Sequence, residues 1–317
     1  MTTALPAFAE PLPHGIHAID TGFQRDRFDA AYLMVQRGRA AFIDTGTNLA
    51  VPRLLGTLEA LGLPRSAVDW VIPTHVHLDH AGGAGLLMRE LPSARLLVHP
   101  RGARHMMDPS ALVAGATAVY GEAEMDRSYG TPVGVAPDRI TTSTDGMTVE
   151  LAGRPLLLID TPGHARHHHC IWDAASRGWF TGDTFGLSYR EFDTAHGPWI
   201  VPTSTPVQFE PEALRASIER LLAFAPERMY LTHYGAVGDV PRLGALLLEQ
   251  LAGMVRIGLA ERAVPGRHGA LKQALEAQYL DSLARHGCLL PQAAQRELLA
   301  LDIELNAQGM AIWRDRG

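Results

Sequence analysis

Thr74-His75-Val76-His77-Leu78-Asp79-His80-Ala81-Gly82-Gly83 places three imidazoles and one carboxylate within six residues. Before it, VDWVIPT (68–74) reads as a buried strand, and Gly82, Gly83 and Gly85 after it permit close packing as a helix begins. The motif thus falls at a strand-to-helix junction. In an extended stretch His75 and His77 point to the same side and can share one ion, while the turn that follows can present Asp79 and His80 to another. Zinc accepts imidazole nitrogen and carboxylate oxygen at about 2.0–2.2 Å, so side chains this close chelate without strain. A lone histidine at a strand end is usually a hydrogen-bonded structural residue; a cluster this dense is hard to explain that way.

Upstream, AAYLMVQRG (30–38) and RAAFIDTG (39–46) read as a hairpin turning at Gly38, and apolar residues at helical spacing from Pro52 to Leu61 predict an amphipathic helix. Downstream, ARLLVHP (94–100) is another buried strand, so strands and helices alternate. Residues 105–137 show no sustained period and read as an irregular or partly helical insertion that could cover a site. Strands follow at 147–151, 154–160, 168–173 and 178–183, then a loop at 184–206 rich in Thr, Ser, Pro and Gly. PEALRASIERLLAF (211–224) predicts a helix with Pro211 in its first turn, and RMYLTH (228–233) one more strand. Three helical patterns close the chain, at 242–262, 268–286 and 291–307. Leu271, Leu275, Tyr279 and Leu283 recur every four residues before Gly287, and Pro291 opens the last helix. The expected division is a catalytic domain over 1–240 and a helical extension over 241–317, which is small for an independent core and is expected to pack on the main domain or on a second subunit.

Composition narrows the function. A net charge of −6, from 28 Lys+Arg against 34 Asp+Glu, supplies no basic field to attract nucleic acid or an anionic membrane. A small-molecule substrate is the expected partner, with no nucleic acid and no membrane. The stretch MTTALPAFAEPLPHG carries neither a basic region nor an export-length apolar run, and no window supplies the roughly 18 uncharged apolar residues of a membrane span, so a cytoplasmic location is expected. Cys170 and Cys288 lie too far apart in sequence for a CxxC motif and read as buried small hydrophobes. Apolar faces on the terminal helices suggest a homodimer.

The HxHxDH motif resembles the signature of the metallo-β-lactamase superfamily, and four further elements appear in that family's order: Asp44 in DTG, His164 in TPGHARHH, Asp183 in FTGD and His233 in LTH. The resemblance spans roughly residues 15–235. It implies a four-layer αββα sandwich of two mixed sheets with helices outside, here with a C-terminal helical extension. It also implies that His75, His77 and His164 bind a first metal, that Asp79, His80 and His233 bind a second, and that Asp183 bridges them. Two divalent ions are expected, zinc first, with iron or manganese also acceptable to such donors. Asp44 has no partner of its own in the motif and reads either as a group orienting a ligand or as an Asx turn at a hairpin end. In the run His167-His168-His169 the family usually has Gly where His167 stands; a supporting role for all three is favoured over ligation.

The chemistry so implied is hydrolysis of an ester, thioester or lactone by a metal-activated hydroxide, with Asp79 and Asp183 as catalytic carboxylates and Asp79 passing the proton to the leaving group. Asp183 stands where β-lactam-cleaving relatives usually carry Cys or another ligand, which argues against antibiotic hydrolysis. The THxHxDHxGG run looks similar to glyoxalase II-like thioesterases; lactonases tend to have a Tyr soon after the bridging Asp, and here the first is Tyr189. Flavodiiron oxidoreductases would carry Glu where His77 stands. A persulfide dioxygenase with a single iron uses a subset of these ligands and stays as an alternative, as does a non-catalytic metal-bound sensor or scaffold. In the loop 184–206, Phe185, Tyr189, Arg190, His196 and Trp199 read either as a substrate pocket or as an aromatic packing cluster.

Overall fold

The computed structural model describes residues 4–205, 207–260 and 266–316. The ends of the expected loop 184–206 and helix 242–262 therefore lie partly outside the described residues. Contacts divide the chain into two compact units. The first comprises Met1–Asp160, His167–Gly182 and Arg228–Ala236; the second comprises Thr161–Arg166, Asp183–Glu227 and Val237–Gly317.

The first unit holds two sheets. The seven-stranded sheet runs in sequence order: β1 (Ala9–Leu12), β2 (Ile16–Asp20), β3 (Ala30–Gln36), β4 (Arg39–Ile43), β5 (Val68–Ile72), β6 (Arg95–Val98) and β7 (Ile140–Thr142). Pairings from β1 to β4 are antiparallel and from β4 to β7 parallel. The six-stranded sheet contains β8 (Met147–Leu151), β9 (Arg154–Asp160), β10 (His169–Asp173), β11 (Gly178–Gly182), β12 (Arg228–Leu231) and β13 (Gly235–Val237), in the order β13-β12-β11-β10-β9-β8. Pairing is antiparallel from β8 to β11 and parallel between β11 and β12. Both sheets are thus mixed and flanked by helices, as expected.

Alternation along the strands sends side chains to two cores. Tyr32, Met34, Ala41 and Ile43 meet Leu156, Leu158, Phe180 and Tyr230 between the sheets. Ala31, Leu33, Ala40 and Phe42 pack on the other face of the first sheet, against Leu54 and Leu58 of α1 (Val51–Ala60) and Leu87 of a later helix. That face also carries the short α2 (Leu78–Ala81), α3 (Ala84–Glu90) and α4 (Pro100–Met107). Burial of apolar side chains on both faces contributes about 25 cal/mol per Å². The segment read as irregular or partly helical is largely helical: α4 is followed by α5 (Ser110–Tyr120), then α6 (Glu122–Glu124), which continues into a π turn over Met125–Tyr129.

The second unit is helical: α7 (Pro211–Leu222), α8 (Val240–Ala260), α9 (Arg267–Arg285) and α10 (Gln292–Arg316). The four-residue repeat of α9 is its buried face, with Leu271, Leu275, Tyr279 and Leu283 all at most 1% exposed. The units follow spatial contacts rather than the expected sequence division at 240/241, because α7 and the loop after Asp183 group with the terminal helices. Helix α10 runs nine residues beyond the expected end at 307. Gly309 is buried within this helix, where an added Cβ would come within 2.3 Å of Ser204 Oγ, so the glycine serves close approach.

Among the described residues, α8 is the one helix long and apolar enough by composition to cross a membrane, although no 18-residue window of it is free of charge. An 18-residue window within its 21 residues reaches a mean hydropathy of 1.4. Leu243, Leu247, Leu251 and Met254 are nevertheless buried in the second unit, and Arg242, Glu249 and Arg256 interrupt the run.

Candidate metal centre

The site begins where β5 ends. His75 is fully buried, and its Nε2 lies 2.7 Å from Nδ1 of half-buried His77, two imidazole nitrogens facing one another in the geometry expected of an HxH pair. The chain then turns into α2, which delivers Asp79 and His80. Asp79 Oδ2 lies 3.7 Å from His80 Nε2 and 3.5 Å from His233 Nε2. The donor atoms of Asp79, His80 and His233 all lie within 4.8 Å of one another, and His233 comes just after β12, with Thr232 between.

Hydrogen bonds at the far nitrogens fix these rings. His233 Nδ1 donates to the Phe28 carbonyl at 2.9 Å, and a carbonyl can only accept, so Nε2 is left with its lone pair toward Asp79. His80 Nδ1 lies 3.0 Å from Asp44 Oδ2 and holds the same tautomer. Asp44 is buried, with a left-handed φ of +56° that Asp tolerates better than most residues. Its carboxylate also accepts from the Thr74 backbone N–H at 2.6 Å and from Thr232 Oγ1 at 2.8 Å. Of the two readings of Asp44, the geometry supports the one in which it orients a ligand.

The triple histidine lies behind this cluster. His168 is fully buried with its ring 4.8 Å from that of His75. His167 Nδ1 accepts weakly from the Val76 N–H at 3.4 Å. His169 Nε2 donates to the Pro73 carbonyl at 2.9 Å and its Nδ1 accepts from Ser143 Oγ at 2.8 Å. Burial first, and then the neighbouring His99, push the His169 imidazole down to about 3, so it stays neutral and pins the strand end that carries His75. Next to it, Gly182 closes β11 with φ +46°, and a Cβ there would come within 2.5 Å of Thr74 Oγ1 and 2.6 Å of His168 Nε2. Only glycine lets that strand end approach Thr74 and His168 so closely.

The remaining two expected ligands belong to the second unit. His164 Nε2 lies 3.2 Å from Asp183 Oδ2, and both side chains are buried. His164 Nδ1 donates to the Thr203 carbonyl at 3.3 Å, while Thr205 Oγ1 donates to the His164 carbonyl at 3.1 Å. The loop after Asp183 therefore fixes the tautomer of His164 much as Phe28 fixes that of His233.

The loop residues read as a pocket or a packing cluster separate by burial. Phe185, Tyr189 and Trp199 are at most 1% exposed. Trp199 Nε1 donates to Ser282 Oγ at 2.9 Å, and Tyr189 OH donates to Asp302 at 3.2 Å. For these three the geometry corrects the pocket reading toward the packing cluster: an aromatic run next to long helices is the material of their core. Arg190 donates to the Ser188 carbonyl and lies 3.3 Å from Asp193. His196 sits on the surface with its ring 6.3 Å from that of His286.

Asp29 is a site residue that the sequence reading misses. It is fully buried just before β3, and burial raises its carboxyl to about 7, with His233 and His80 opposing and Asp79 adding to the shift. A single Asp ahead of an apolar strand carries no distinguishing signal; only the fold brings it near the motif.

Comparison with known proteins agrees with this arrangement. The family model described as the metallo-beta-lactamase superfamily matches residues 25–233. A metallo-beta-lactamase fold-containing protein of Sulfurisphaera tokodaii is 24% identical over 236 residues, 70% of this chain and 79% of that protein. A hydroxyacylglutathione hydrolase of Acidiphilium cryptum is 30% identical over 205 residues, 63% of this chain and 62% of that one. In three dimensions the chain is similar to an archaeal metallo-beta-lactamase superfamily protein from Sulfolobus tokodaii, with a TM-score of 0.66 at 22% identity over 95% of this chain and 99% of the other. With its family model covering both the HxHxDH turn and His233, the chain belongs to the metallo-beta-lactamase superfamily.

Proposed function

We propose that this protein is a metal-dependent hydrolase that cleaves an ester, thioester or lactone bond of a small molecule. In this reading His75, His77 and His164 hold one divalent ion, Asp79, His80 and His233 hold a second, and Asp183 serves both. The observation that carries it is the fixed tautomer of three imidazoles: His80, His164 and His233 each have Nδ1 occupied by a carboxylate or a carbonyl, leaving Nε2 to act as a ligand. The donor set of imidazoles and carboxylates suits zinc at about 2.0–2.2 Å, with iron and manganese as competitors.

A bound divalent ion supplies Lewis acidity, polarising a carbonyl oxygen and lowering the pKa of water toward neutrality. The chain's own residues do the rest. Asp79, whose side chain is 24% exposed while those of His80 and His233 are at most 5% exposed, is the carboxylate open enough to take a proton and return it to a leaving group. Asp44 and the Phe28 carbonyl hold the rings still while that proton moves. The aromatic residues Phe185, Tyr189 and Trp199 contribute by fixing the shape of the loop after Asp183, with Arg190 and His196 as its polar side chains nearer solvent. Similarity to a protein named hydroxyacylglutathione hydrolase supports a thioester among the candidate bonds. The proposed setting is cytoplasmic, supported by two cysteines that form no disulfide. The proposed partner is a small molecule rather than nucleic acid or membrane, and a homodimer is the proposed assembly.

The test is metal analysis of protein purified without added metal, together with a panel of esters, thioesters and lactones assayed with an oxygen electrode. About two ions per chain and cleavage without oxygen consumption are expected. One iron per chain with oxygen uptake on glutathione persulfide would overturn the hydrolase reading in favour of a dioxygenase. Metal bound with no turnover of any kind would favour a sensor.

A further inference from the structure

Asp29 is 0% exposed. Its Oδ2 accepts from Thr21 Oγ1 at 2.8 Å, whereas its Oδ1 has no hydrogen-bond donor among the described residues. Its backbone cannot swing the carboxylate away. The Thr21 N–H donates to the Asp29 carbonyl at 2.9 Å, and the Ala30 N–H donates to the Thr232 carbonyl at 2.8 Å. On its other side, the Phe28 carbonyl holds His233. The charged and titratable groups that act on it are His233, His80 and Asp79; neither Lys nor Arg is among them. A buried carboxylate with an unfilled oxygen and no cationic partner costs several kcal/mol, and buried charges in folded proteins are paired or face metal ions.

We propose that Asp29 is a positioning residue for the pocket of Asp79, His80 and His233, where its buried negative charge raises the affinity for a divalent cation. The inference rests on the reading of that pocket as a metal site. Among these three donors Asp79 carries the one negative charge, with Asp183 shared between the two proposed ions; Asp29 adds a further charge without occupying a ligand position. That further charge would favour a filled over an empty pocket, and the orphaned oxygen would be the mark of a charge kept for the ion rather than for the apo fold. The contrasting explanation is structural: Asp29 serves only to hold the turn through Thr21.

The two are separated by zinc competition with a chromogenic chelator on the full chain, comparing wild type, Asp29→Asn and Asp29→Ala, with the apo-protein Tm measured alongside. Wild type is expected to bind zinc in two classes. Asp29→Asn, which keeps shape and can still accept from Thr21, is expected to weaken one class by about 10–100-fold and leave the other unchanged. Its apo Tm should equal or exceed that of wild type, since a buried charge has been removed. Unchanged zinc affinity in both variants with a lowered apo Tm would overturn the inference and leave the metal centre standing. A wild type that takes up no zinc would overturn the metal centre and this inference with it.

Discussion

His80 Nδ1 meets Asp44 Oδ2 at 3.0 Å, and the same carboxylate accepts from Thr74, the residue before His75, and from Thr232, the residue before His233. One buried side chain thus joins two segments that are far apart in sequence, the 74–80 motif and Thr232-His233, each carrying expected ligands. Asp44→Ala should therefore lower zinc affinity by about 10–100-fold. It should also lower stability, since buried donors left without an acceptor cost about 1–3 kcal/mol. Zinc retained after dialysis, read against a urea melt, checks both.

His77→Ala, Asp183→Ala and His233→Ala should each abolish nearly all activity while the fold persists, because the packed faces of the sheets rather than an ion hold the core. His99→Ala is the contrast. His99 caps α4 by accepting from the Arg101 N–H at 3.1 Å and pairs with Asp160, outside the ligand set, so its loss should cost about 1 kcal/mol of stability and little turnover. Turnover of the four variants on one ester, with circular dichroism as the fold check, decides the matter; equal damage at His99 and His77 would force a new ligand assignment.

Gly182→Ala should destabilise by about 1–3 kcal/mol through its positive φ alone. It should also reduce activity beyond what the stability loss explains, since the new methyl would press on Thr74 and His168. Measuring kcat/KM well below the melting transition separates the two effects.

Away from the centre, Arg154 and Asp173 form a buried pair, with Arg154 Nε 2.8 Å from Asp173 Oδ1 and side chains at most 4% exposed. Burial pushes the Asp173 carboxyl up, but hydrogen bonds from Arg154 and Ser176 and the charge of Arg154 outweigh it, and the net direction is down from 3.8. A carboxyl lowered in the folded state adds stability that is fully present above its unfolded value and is lost as pH falls through the folded one. Stability of the wild type should therefore drop below about pH 4, and Asp173→Asn should flatten that part of the profile. Because removing one partner leaves the other charge buried, the variant should also lose about 3–5 kcal/mol near neutral pH. Denaturant melts from pH 3 to 7 provide the readout.

The clustered His and Asp residues were legible in the sequence because their residue types and short spacings are unusual, and the hairpins were legible because turn glycines and alternation are local. Asp29 and the full partnership of Asp44 were not, since both depend on β3, β5 and β12 meeting in space. The end of α10 also lies beyond the expected 307, and Gly309 inside it sits where close approach to Ser204 leaves no room for a Cβ. The aromatics after Asp183 were ambiguous because a pocket wall and a helix-facing core draw on the same side chains.

The outer strands of the two sheets have a further bearing on the behaviour of this protein at high concentration. The first sheet ends on β1, four residues long with Glu10 and Pro11 in it, and on the three-residue β7; the second ends on the three-residue β13 and on β8, which exposes Thr148 and Glu150. Short, charged or proline-bearing borders offer few free amides for another chain to zip onto. Concentrated solutions should resist fibre formation by strand addition, so any self-association has to be built from side chains rather than from backbone.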